Sequence, residues 1–432
     1  MLDATTLFLV GLFLLIGSAV LVGELFTRLG QASLVGQLLV GVVLGPTLLG
    51  GPLGLSSLSG QFQSLQFLAT FFILMMAGLA VTPQQIRSTG LAGTIAGIAI
   101  FLGPFATGAA VVHLLYPAES LLGTLFISLT ISITALPVLA VMLRELGLLE
   151  SRFGSFLMNI SLVNELAAVT TFAVLLRVQG DPQSTGIAVA IAVLTVALFL
   201  TSVLAVHTLL RSLRRVRLWD RWVERFRESW RTREAGFAVL MVVALGAALY
   251  SQFLGLTFLV GAFYAGLLIT PESAGRREHR SISFVFEAIT WGFFLPLFFA
   301  LVGFGMNFRL LGSSPEALLA FVALAVFAIA SKAATGAAVT RGLRWTGNEA
   351  LAAGFLVTSR GAVELAMAVI LLSDGLISTE LFTIIAGVGL VTTLVAPIGA
   401  RPFVRRVSPF RRARDEHAAH RPLESALPPR EL

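Results

Sequence analysis

Long apolar segments constrain this chain more than any other feature of its sequence. A helix that crosses a bilayer needs about 20 mainly apolar residues, and windows of that size identify thirteen candidate segments. Their centres lie near residues 14, 40, 73, 101, 130, 164, 197, 243, 262, 292, 328, 360 and 389. Hydrophobic residues make up 56% of the chain and charged residues 12%, against about 45–50% and about 25% in soluble globular proteins. The sequence therefore predicts an all-α polytopic membrane protein with 13 transmembrane helices, and it excludes a soluble enzyme and a nucleic-acid-binding module.

The basic residues are distributed unevenly between the two sides of the predicted membrane. When the connections between spans are assigned alternately, 26 of the 30 basic residues fall on one side, and only Arg177 and Arg309 fall on the other. The positive-inside rule places the basic side in the cytoplasm. We therefore expect a multi-pass protein of a bacterial plasma membrane, with its N-terminus outside and its C-terminus in the cytoplasm. The two remaining basic residues, Lys332 and Arg360, fall inside spans, which makes each a functional candidate.

Two arginine-rich segments lie on the predicted cytoplasmic side. Trp219, Trp222, Phe226 and Trp230 follow one another at helical spacing among several arginines, which is typical of a helix that lies flat at the membrane interface. Residues 403–432 are rich in Arg, Pro and Ala, and this composition predicts a disordered tail.

Three sequence segments recur at nearly constant offsets of 220, 227 and 224 residues, in the same order along the chain. The pairs are Leu39–Gly41 with Leu259–Gly261, Phe71–Leu79 with Phe298–Met306, and Thr134–Pro137 with Thr358–Gly361. Six helices, one linking helix and six more give the second half the opposite orientation to the first. This 6+1+6 inverted repeat is the usual plan of secondary transporters, whose ions bind near the midplane at interrupted helices.

The corresponding interrupted helices are predicted to be the fifth and the twelfth. Pro137 removes a hydrogen-bond donor from the fifth, and Gly361, beside Ser359, allows the twelfth to unwind. Ordinary kinks are the alternative for either helix alone, but their matched positions in the two halves favour two discontinuous helices.

Four ionisable residues are predicted to lie at similar depth in the bundle. The sixth helix has Asn164 and Glu165 at its midpoint, and a carboxylate in so apolar an environment needs a proton or a cation. Lys332 in the eleventh helix and Arg360 in the twelfth are the candidate cations, and Glu364 lies one helical turn beyond Arg360. A structural salt-bridge network is the alternative reading. The histidines fall in loops, helix ends or the tail, so we predict no resident metal site and no cofactor.

These motifs resemble those of the monovalent cation:proton antiporter-2 family, nearest the plant cation/proton exchangers and their bacterial relatives. The resemblance runs from about residue 20 to residue 400. The segments that carry it are Ile133–Ala140 with Leu146–Leu149, Gly36–Gly41 with Leu44–Pro46, Pro296–Ala300 with Gly303, Ser331–Lys332, and Thr358–Gly361 with Glu364–Leu365.

The resemblance implies a sodium/proton antiporter fold and a homodimer built through a scaffold. A core of helices four to six and eleven to thirteen would move against this scaffold. The expected division is residues 1–83 (scaffold), 84–177 (core), 178–235 (linking helix and basic segment), 236–310 (scaffold), 311–402 (core) and 403–432 (tail).

The resemblance also assigns roles to residues. Glu165 takes the position of the ion-binding aspartate, where it would bind the transported Na⁺ or K⁺. Asn164 is the residue before it, and Thr134 lies at the helix break. Lys332 matches a lysine that can pair with that carboxylate. The family usually has Asn-Asp or Asp-Asp where this chain has Asn-Glu, so its preference for ion size does not carry over.

The sequence therefore predicts a monovalent cation/proton antiporter that works by alternating access and is not an enzyme. One carboxylate would bind either H⁺ or the cation, and the exchange would be electroneutral. A sodium-coupled organic-anion symporter of similar fold is an alternative, although Lys332 and Arg360 argue against it. A membrane sensor without transport activity is a second alternative. The expected partners are the monovalent cation, H⁺, the lipid bilayer and a second copy of the chain, and no nucleic acid.

Overall fold

All regular secondary structure in the described part of this computed structural model is helical. The structure describes residues 3–29, 31–79, 83–149, 151–179, 235–269 and 276–404, together with part of 190–212. The first-half helices are α1 (Ala4–Arg28), α2 (Ser33–Leu44), α3 (Ser59–Leu79), α4 (Pro83–Leu115), α5 (Leu121–Ser132), α6 (Leu136–Glu145) and α7 (Arg152–Gln179). The later helices are α8 (Ala235–Phe253), α9 (Phe258–Leu268), α10 (Arg276–Ile289), α11 (Leu295–Gly305), α12 (Phe308–Ser313), α13 (Pro315–Gly342), α14 (Gly347–Leu356), α15 (Ala362–Ser373) and α16 (Thr379–Val404).

The lengths and compositions of these helices fit a bilayer. Among the described residues, 8 helical segments are long and apolar enough to cross a membrane, and shorter apolar helices accompany them at Ser33–Leu44, Leu240–Phe253 and Ala362–Ser373. The predicted all-α polytopic membrane fold is therefore confirmed. The segment predicted near residue 197 is described only in part, so the count of thirteen spans stays a prediction. The interfacial segment predicted at residues 219–230 and the tail beyond residue 404 lie outside the described residues.

Two of the predicted spans are each divided into two helices by a short stretch of non-helical backbone. The first is interrupted between α5 and α6, where Ile133 and Ala135 both have extended dihedral angles. The second is interrupted between α14 and α15, over residues 357–361. Both interruptions are buried, so their backbone polar groups need partners within the protein.

The first interruption lies on the N-terminal side of Pro137 rather than at it. We predicted that Pro137 breaks the helix from within, but it occupies the first turn of α6. A proline stabilises this position because the N–H groups of a first turn have no intrahelical partner in any case.

Packing between helices relates the two halves of the chain. Helix α2 packs along α11, and α3 packs along α9. Each pair joins a helix of the first half to one of the second, and the predicted repeat relates α2 to α9 and α3 to α11. Glycines allow these close approaches, because a Cβ atom on Gly41 would lie 1.9 Å from the carbonyl oxygen of Ala300, and one on Gly78 would lie 1.8 Å from that of Phe263.

A second group of helices surrounds the interrupted spans. Helix α4 packs against α5, α7 and α13, while α13 and α16 pack against α14. Between α10 and α11, residues Thr290–Phe294 form a single π-helical turn, so α10 and α11 are continuous with one another through it.

Candidate functional site

The two interrupted helices meet at their interruptions, residues 133–135 and 357–361. The backbone N–H of Ala135 donates to the carbonyl of Ser359 over 3.1 Å, and the hydroxyl of Thr134 donates to the carbonyl of Val357 over 2.8 Å. Each interruption therefore satisfies polar groups of the other. Gly361 permits the approach, since a Cβ atom there would lie 2.7 Å from Val138 Cγ2 and 2.9 Å from Ala135 Cβ.

Asn164 on α7 makes two hydrogen bonds to the backbone at the first interruption. Its Oδ1 accepts from the backbone N–H of Thr134 over 2.8 Å, and its Nδ2 donates to the carbonyl of Ser132 over 3.2 Å. The side-chain amide thus replaces hydrogen bonds that a continuous helix would have made. The residue is fully buried, which explains why an amide with both a donor and an acceptor is needed here.

Glu165, the next residue of α7, faces the first turn of α6. Its Oε2 accepts from the backbone N–H of Leu136 over 3.3 Å, so the carboxylate lies at the positive end of that helix. Its Oε1 is buried and has no hydrogen-bond partner. The side chain is only 1% exposed. One carboxylate oxygen therefore accepts from a backbone N–H, and the other has no hydrogen-bond partner within the part of the chain that the structure describes.

Lys332 on α13 reaches the same crossing but contacts a hydroxyl rather than a carboxylate. Its Nζ donates to Thr134 Oγ1 over 2.8 Å and to the carbonyl of Ile100 over 3.3 Å. Among the described residues, the ion pairs within 4.0 Å are Arg28–Glu24 and Arg360–Glu364. The pairing of Lys332 with Glu165 that the resemblance implies is therefore absent from this state of the protein.

Arg360 and Glu364 form a buried ion pair, as their spacing predicts. Arg360 Nη1 lies 3.0 Å from Glu364 Oε1, and both side chains are 1% exposed. The guanidinium also donates to the carbonyls of Thr130 and Ile131 in the last turn of α5, where a positive charge is favourable. Glu364 lies in the first turn of α15, where a negative charge is favourable. The pair therefore complements both helix ends at the crossing.

A family model described as "Sodium/hydrogen exchanger, transmembrane" matches residues 12–406 of this chain. The chain belongs to the sodium/hydrogen exchanger family. This match spans both interrupted helices and every residue of the crossing described above. The family assignment expected from the sequence motifs is thereby confirmed.

Individual relatives of this exchanger-family protein include bacterial and plant antiporters. The Na⁺/H⁺-K⁺ antiporter GerN of Bacillus cereus is 26% identical over 89% of this chain and 93% of its own length. The Na⁺/H⁺ antiporter NhaS4 of Synechocystis sp. is 27% identical over 94% of this chain and 99% of its own length. Cation/H⁺ antiporter 18 of Arabidopsis thaliana is 28% identical over 93% of this chain, which corresponds to 49% of the plant protein.

A solved structure of similar fold is the sodium proton antiporter MjNhaP1 from Methanocaldococcus jannaschii. The TM-score is 0.69, the sequence identity is 14%, and the match covers 93% of this chain and 100% of the other. This likeness confirms the predicted antiporter fold.

The oxygen atoms at the crossing belong to a carboxylate, to hydroxyl groups and to backbone carbonyls. Within the described residues, no group of three or more His, Cys, Asp or Glu side chains is close enough to hold a metal ion. An ion at Glu165 would instead be bound by one carboxylate together with backbone carbonyls and hydroxyls, the usual donors at interrupted helices.

Sequence reasoning missed several partners at this site. Thr393 on α16 holds the second interruption, because its hydroxyl donates to the carbonyl of Arg360 over 3.1 Å and accepts from the N–H of the same residue over 3.3 Å. The carbonyl of Ile100 on α4 is a partner of Lys332. A threonine in an apolar helix is only a weak indication of a site residue, and a backbone carbonyl cannot be recognised from the sequence at all.

Proposed function

We propose that this protein exchanges a monovalent cation, Na⁺ or K⁺, for a proton, and that Glu165 binds the two ions in turn. The observation that carries this proposal is the arrangement of the Glu165 carboxylate, with one oxygen held by Leu136 N–H and the other buried without a partner. The relatives are described as Na⁺/H⁺ or cation/H⁺ antiporters, which supports the same activity here.

Competition for one carboxylate couples the two ions. A buried carboxylate is costly unless it is protonated or paired with a cation, so the empty charged form is disfavoured during the cycle. Glu165 is therefore exposed alternately to the two sides of the membrane only while it binds a proton or the cation. Asn164 holds the extended segment, and Thr134 lies within it. One proton exchanged for one monovalent cation makes the cycle electroneutral.

Alternating access requires one group of helices to move against another. We assign α4–α7 and α13–α16 to a moving core, and α1–α3 and α8–α11 to a scaffold through which two copies form a homodimer. The close packing of α2 with α11 and of α3 with α9 supports the assignment of these four helices to one scaffold. The excess of basic residues on one set of connections supports an N-terminus outside the cell and a cytoplasmic C-terminus.

The test is exchange in proteoliposomes that contain an internal pH dye. We expect Na⁺, K⁺ or Li⁺ gradients to move protons in vesicles with the wild-type protein and not with Glu165→Gln. Glu165→Asp keeps the charge on a side chain one methylene shorter, so it should retain exchange with an altered order of ion preference. Glu24→Gln, which alters an exposed carboxylate, is the matched control.

Two results would contradict the proposal. Exchange that survives in Glu165→Gln would remove Glu165 from the mechanism and direct attention to Glu364. An absence of exchange with every ion, in wild-type protein that is monodisperse and folded, would reject antiport while leaving the fold unchanged.

A further inference from the structure

A cavity of about 70 Å³ separates the crossing from the scaffold. Ala135, Pro137 and Ala362, which flank the two interruptions, line one side, and Thr290, Trp291 and Leu295 line the other. About 10–15 Å³ accommodates one water molecule. The cavity therefore has room for a cation together with a few waters.

The cavity and the carboxylate of the proposed function adjoin the same backbone segment. Leu136, whose N–H donates to Glu165 Oε2 over 3.3 Å, lies in the chain between the lining residues Ala135 and Pro137. Residues 135–137 therefore contact the cavity on one side and Glu165 on the other.

The scaffold side of this cavity is formed by the π-helical turn, Thr290–Phe294. In this turn the N–H of Leu295 donates to the carbonyl of Thr290, five residues earlier instead of four. Pro296 follows, and since it has no N–H it cannot donate to the carbonyl of Trp291 or Gly292. Single π-turns within α-helices occur frequently at functional sites.

Thr290 adds an unpaired hydroxyl to the same surface. Its side chain is only 1% exposed, and its Oγ1 has no hydrogen-bond partner in the structure. Threonines on helices usually donate to a carbonyl three or four residues earlier, as Thr70 does on the neighbouring α3, over 2.7 Å. A buried hydroxyl without a partner calls for an explanation, and an ion or its water in the adjoining cavity provides one.

The rest of the cavity wall is poor in oxygen donors. Apart from Thr290, the lining side chains with polar atoms are Ser33 and Trp291, and the others are apolar. A cation that crosses this space loses much of its hydration and gains few ligands, except at the π-turn. The turn is therefore the part of this wall where a partly dehydrated cation would find oxygen ligands.

We propose that Thr290 and the π-turn form a second, transient monovalent-cation site on the scaffold, which passes the ion across the cavity to Glu165. This inference rests on the proposed exchange function for its role in transport. The binding itself does not depend on transport, because the site belongs to the scaffold and contains no part of Glu165.

The first test compares Thr290→Val with Thr290→Ser in the proteoliposome assay. Removing the hydroxyl is expected to raise the cation concentration for half-maximal exchange at least fivefold when the ion is added on one side of the membrane. The maximal rate and the half-saturation from the other side should stay within twofold of wild type. Thr290→Ser should behave as wild type, and so should Thr70→Val, whose buried hydroxyl lies outside the cavity. Equal half-saturation for Thr290→Val and wild type from both sides would overturn the proposal.

The second test measures binding without transport, in the Glu165→Gln background. Trp291 lines the cavity beside Thr290, so Na⁺ or K⁺, compared with choline at equal ionic strength, should change the part of the tryptophan fluorescence that Trp291→Phe removes. Adding Thr290→Val, or Thr290→Ala if the valine variant does not fold, should abolish this response. A response that persists without the hydroxyl, or no response in Glu165→Gln, would overturn the cation site. A normal response in wild-type protein that shows no exchange would instead reject only the proposed function.

Discussion

The Nζ atom of Lys332 lies 2.8 Å from the hydroxyl oxygen of Thr134, and Thr134 in turn donates to the carbonyl of Val357 over 2.8 Å. Lys332 is thereby linked through one threonine to both interrupted helices. Because this amine contacts the crossing rather than the carboxylate of Glu165, the lysine stabilises the junction between the interruptions in this state. The carboxyl group of Glu165 makes no ion pair with Lys332 among the described residues.

A double-mutant cycle between Lys332→Met and Glu165→Gln should therefore show little coupling. We expect the effects of the two changes on the unfolding free energy in detergent to be closer to additive than those of a contacting pair, because Lys332 and Glu165 make no ion pair within 4.0 Å. The cycle between Lys332→Met and Thr134→Val should give a coupling free energy of about 0.5–3 kcal/mol, since those two residues are in contact. Strong coupling between Lys332 and Glu165, with none between Lys332 and Thr134, would show that the resting protein holds the ion pair instead.

The buried pair of Arg360 and Glu364 should be asymmetric in its contribution to stability. Arg360→Gln leaves the Glu364 carboxylate without its partner in the interior, and breaking a buried pair in this way costs about 3–5 kcal/mol. Glu364→Gln should cost less, because Arg360 keeps the carbonyls of Thr130 and Ile131.

Thermal melting in detergent tests this order of stability. The control is Arg28→Gln, which breaks the exposed pair with Glu24 and is expected to change stability by at most about 1 kcal/mol. A larger loss in Glu364→Gln than in Arg360→Gln would contradict the assignment of the guanidinium as the group that joins the two helix ends.

Much of the fold follows from local features of the sequence. Runs of apolar residues identify the helices, and the matched positions of Thr134–Pro137 and Thr358–Gly361 identify the interruptions. Pro137 is predicted to break the fifth helix from within, but it lies in the first turn of α6, because a proline fits the first turn of a helix and the break therefore falls on its N-terminal side. The crossing of the two segments also depends on the space that Gly361 leaves.

The detailed partners at the site were beyond prediction for a physical reason. The groups that hold Asn164, Glu165 and Lys332 include the carbonyl of Ser132, the N–H of Leu136 and the carbonyl of Ile100. Every residue except proline has both of these backbone groups, so no pattern of side chains distinguishes them. Helical spacing predicts the pairing of Arg360 with Glu364, but Arg360 lies in the interruption before α15, which begins at Ala362, so the contact also depends on how the non-helical segment turns back onto the first turn of that helix.

Tyr116, just after α4, should make the protein sensitive to alkali. Burial, reinforced by the charge of Glu380, raises the pKa of Tyr116 from 10.0 to about 12, and its hydroxyl is buried without a hydrogen-bond partner. A raised pKa in the folded state contributes stability that is fully present below pH 10 and is lost as the pH rises towards 12.

Tyr116→Phe should therefore melt at the same temperature as wild type, or slightly higher, at pH 7, and its advantage should grow between pH 10 and pH 11. Tyr250→Phe, at a more exposed position, serves as the comparison. A lower melting temperature for Tyr116→Phe at pH 7 would mean that the phenol has a partner that stabilises it.

Gly41 should be among the least replaceable residues of the scaffold. A methyl group there would lie 1.9 Å from the carbonyl oxygen of Ala300, and one on Gly303, on the facing helix, would lie 2.1 Å from that of Leu38. Because the obstructing atoms belong to the backbone, Gly41→Ala must push α2 and α11 apart, and overpacking of this kind costs at least about 1–3 kcal/mol.

Gly17→Ala is the matched control, since nothing lies within 4 Å of its added methyl and alanine favours a helix by about 1 kcal/mol over glycine. In detergent, Gly41→Ala should have a lower melting temperature than wild type and a smaller monodisperse peak in size-exclusion chromatography. Gly17→Ala should have an unchanged or higher melting temperature and an unchanged peak. Equal behaviour of the two would show that α2 and α11 do not depend on this close contact.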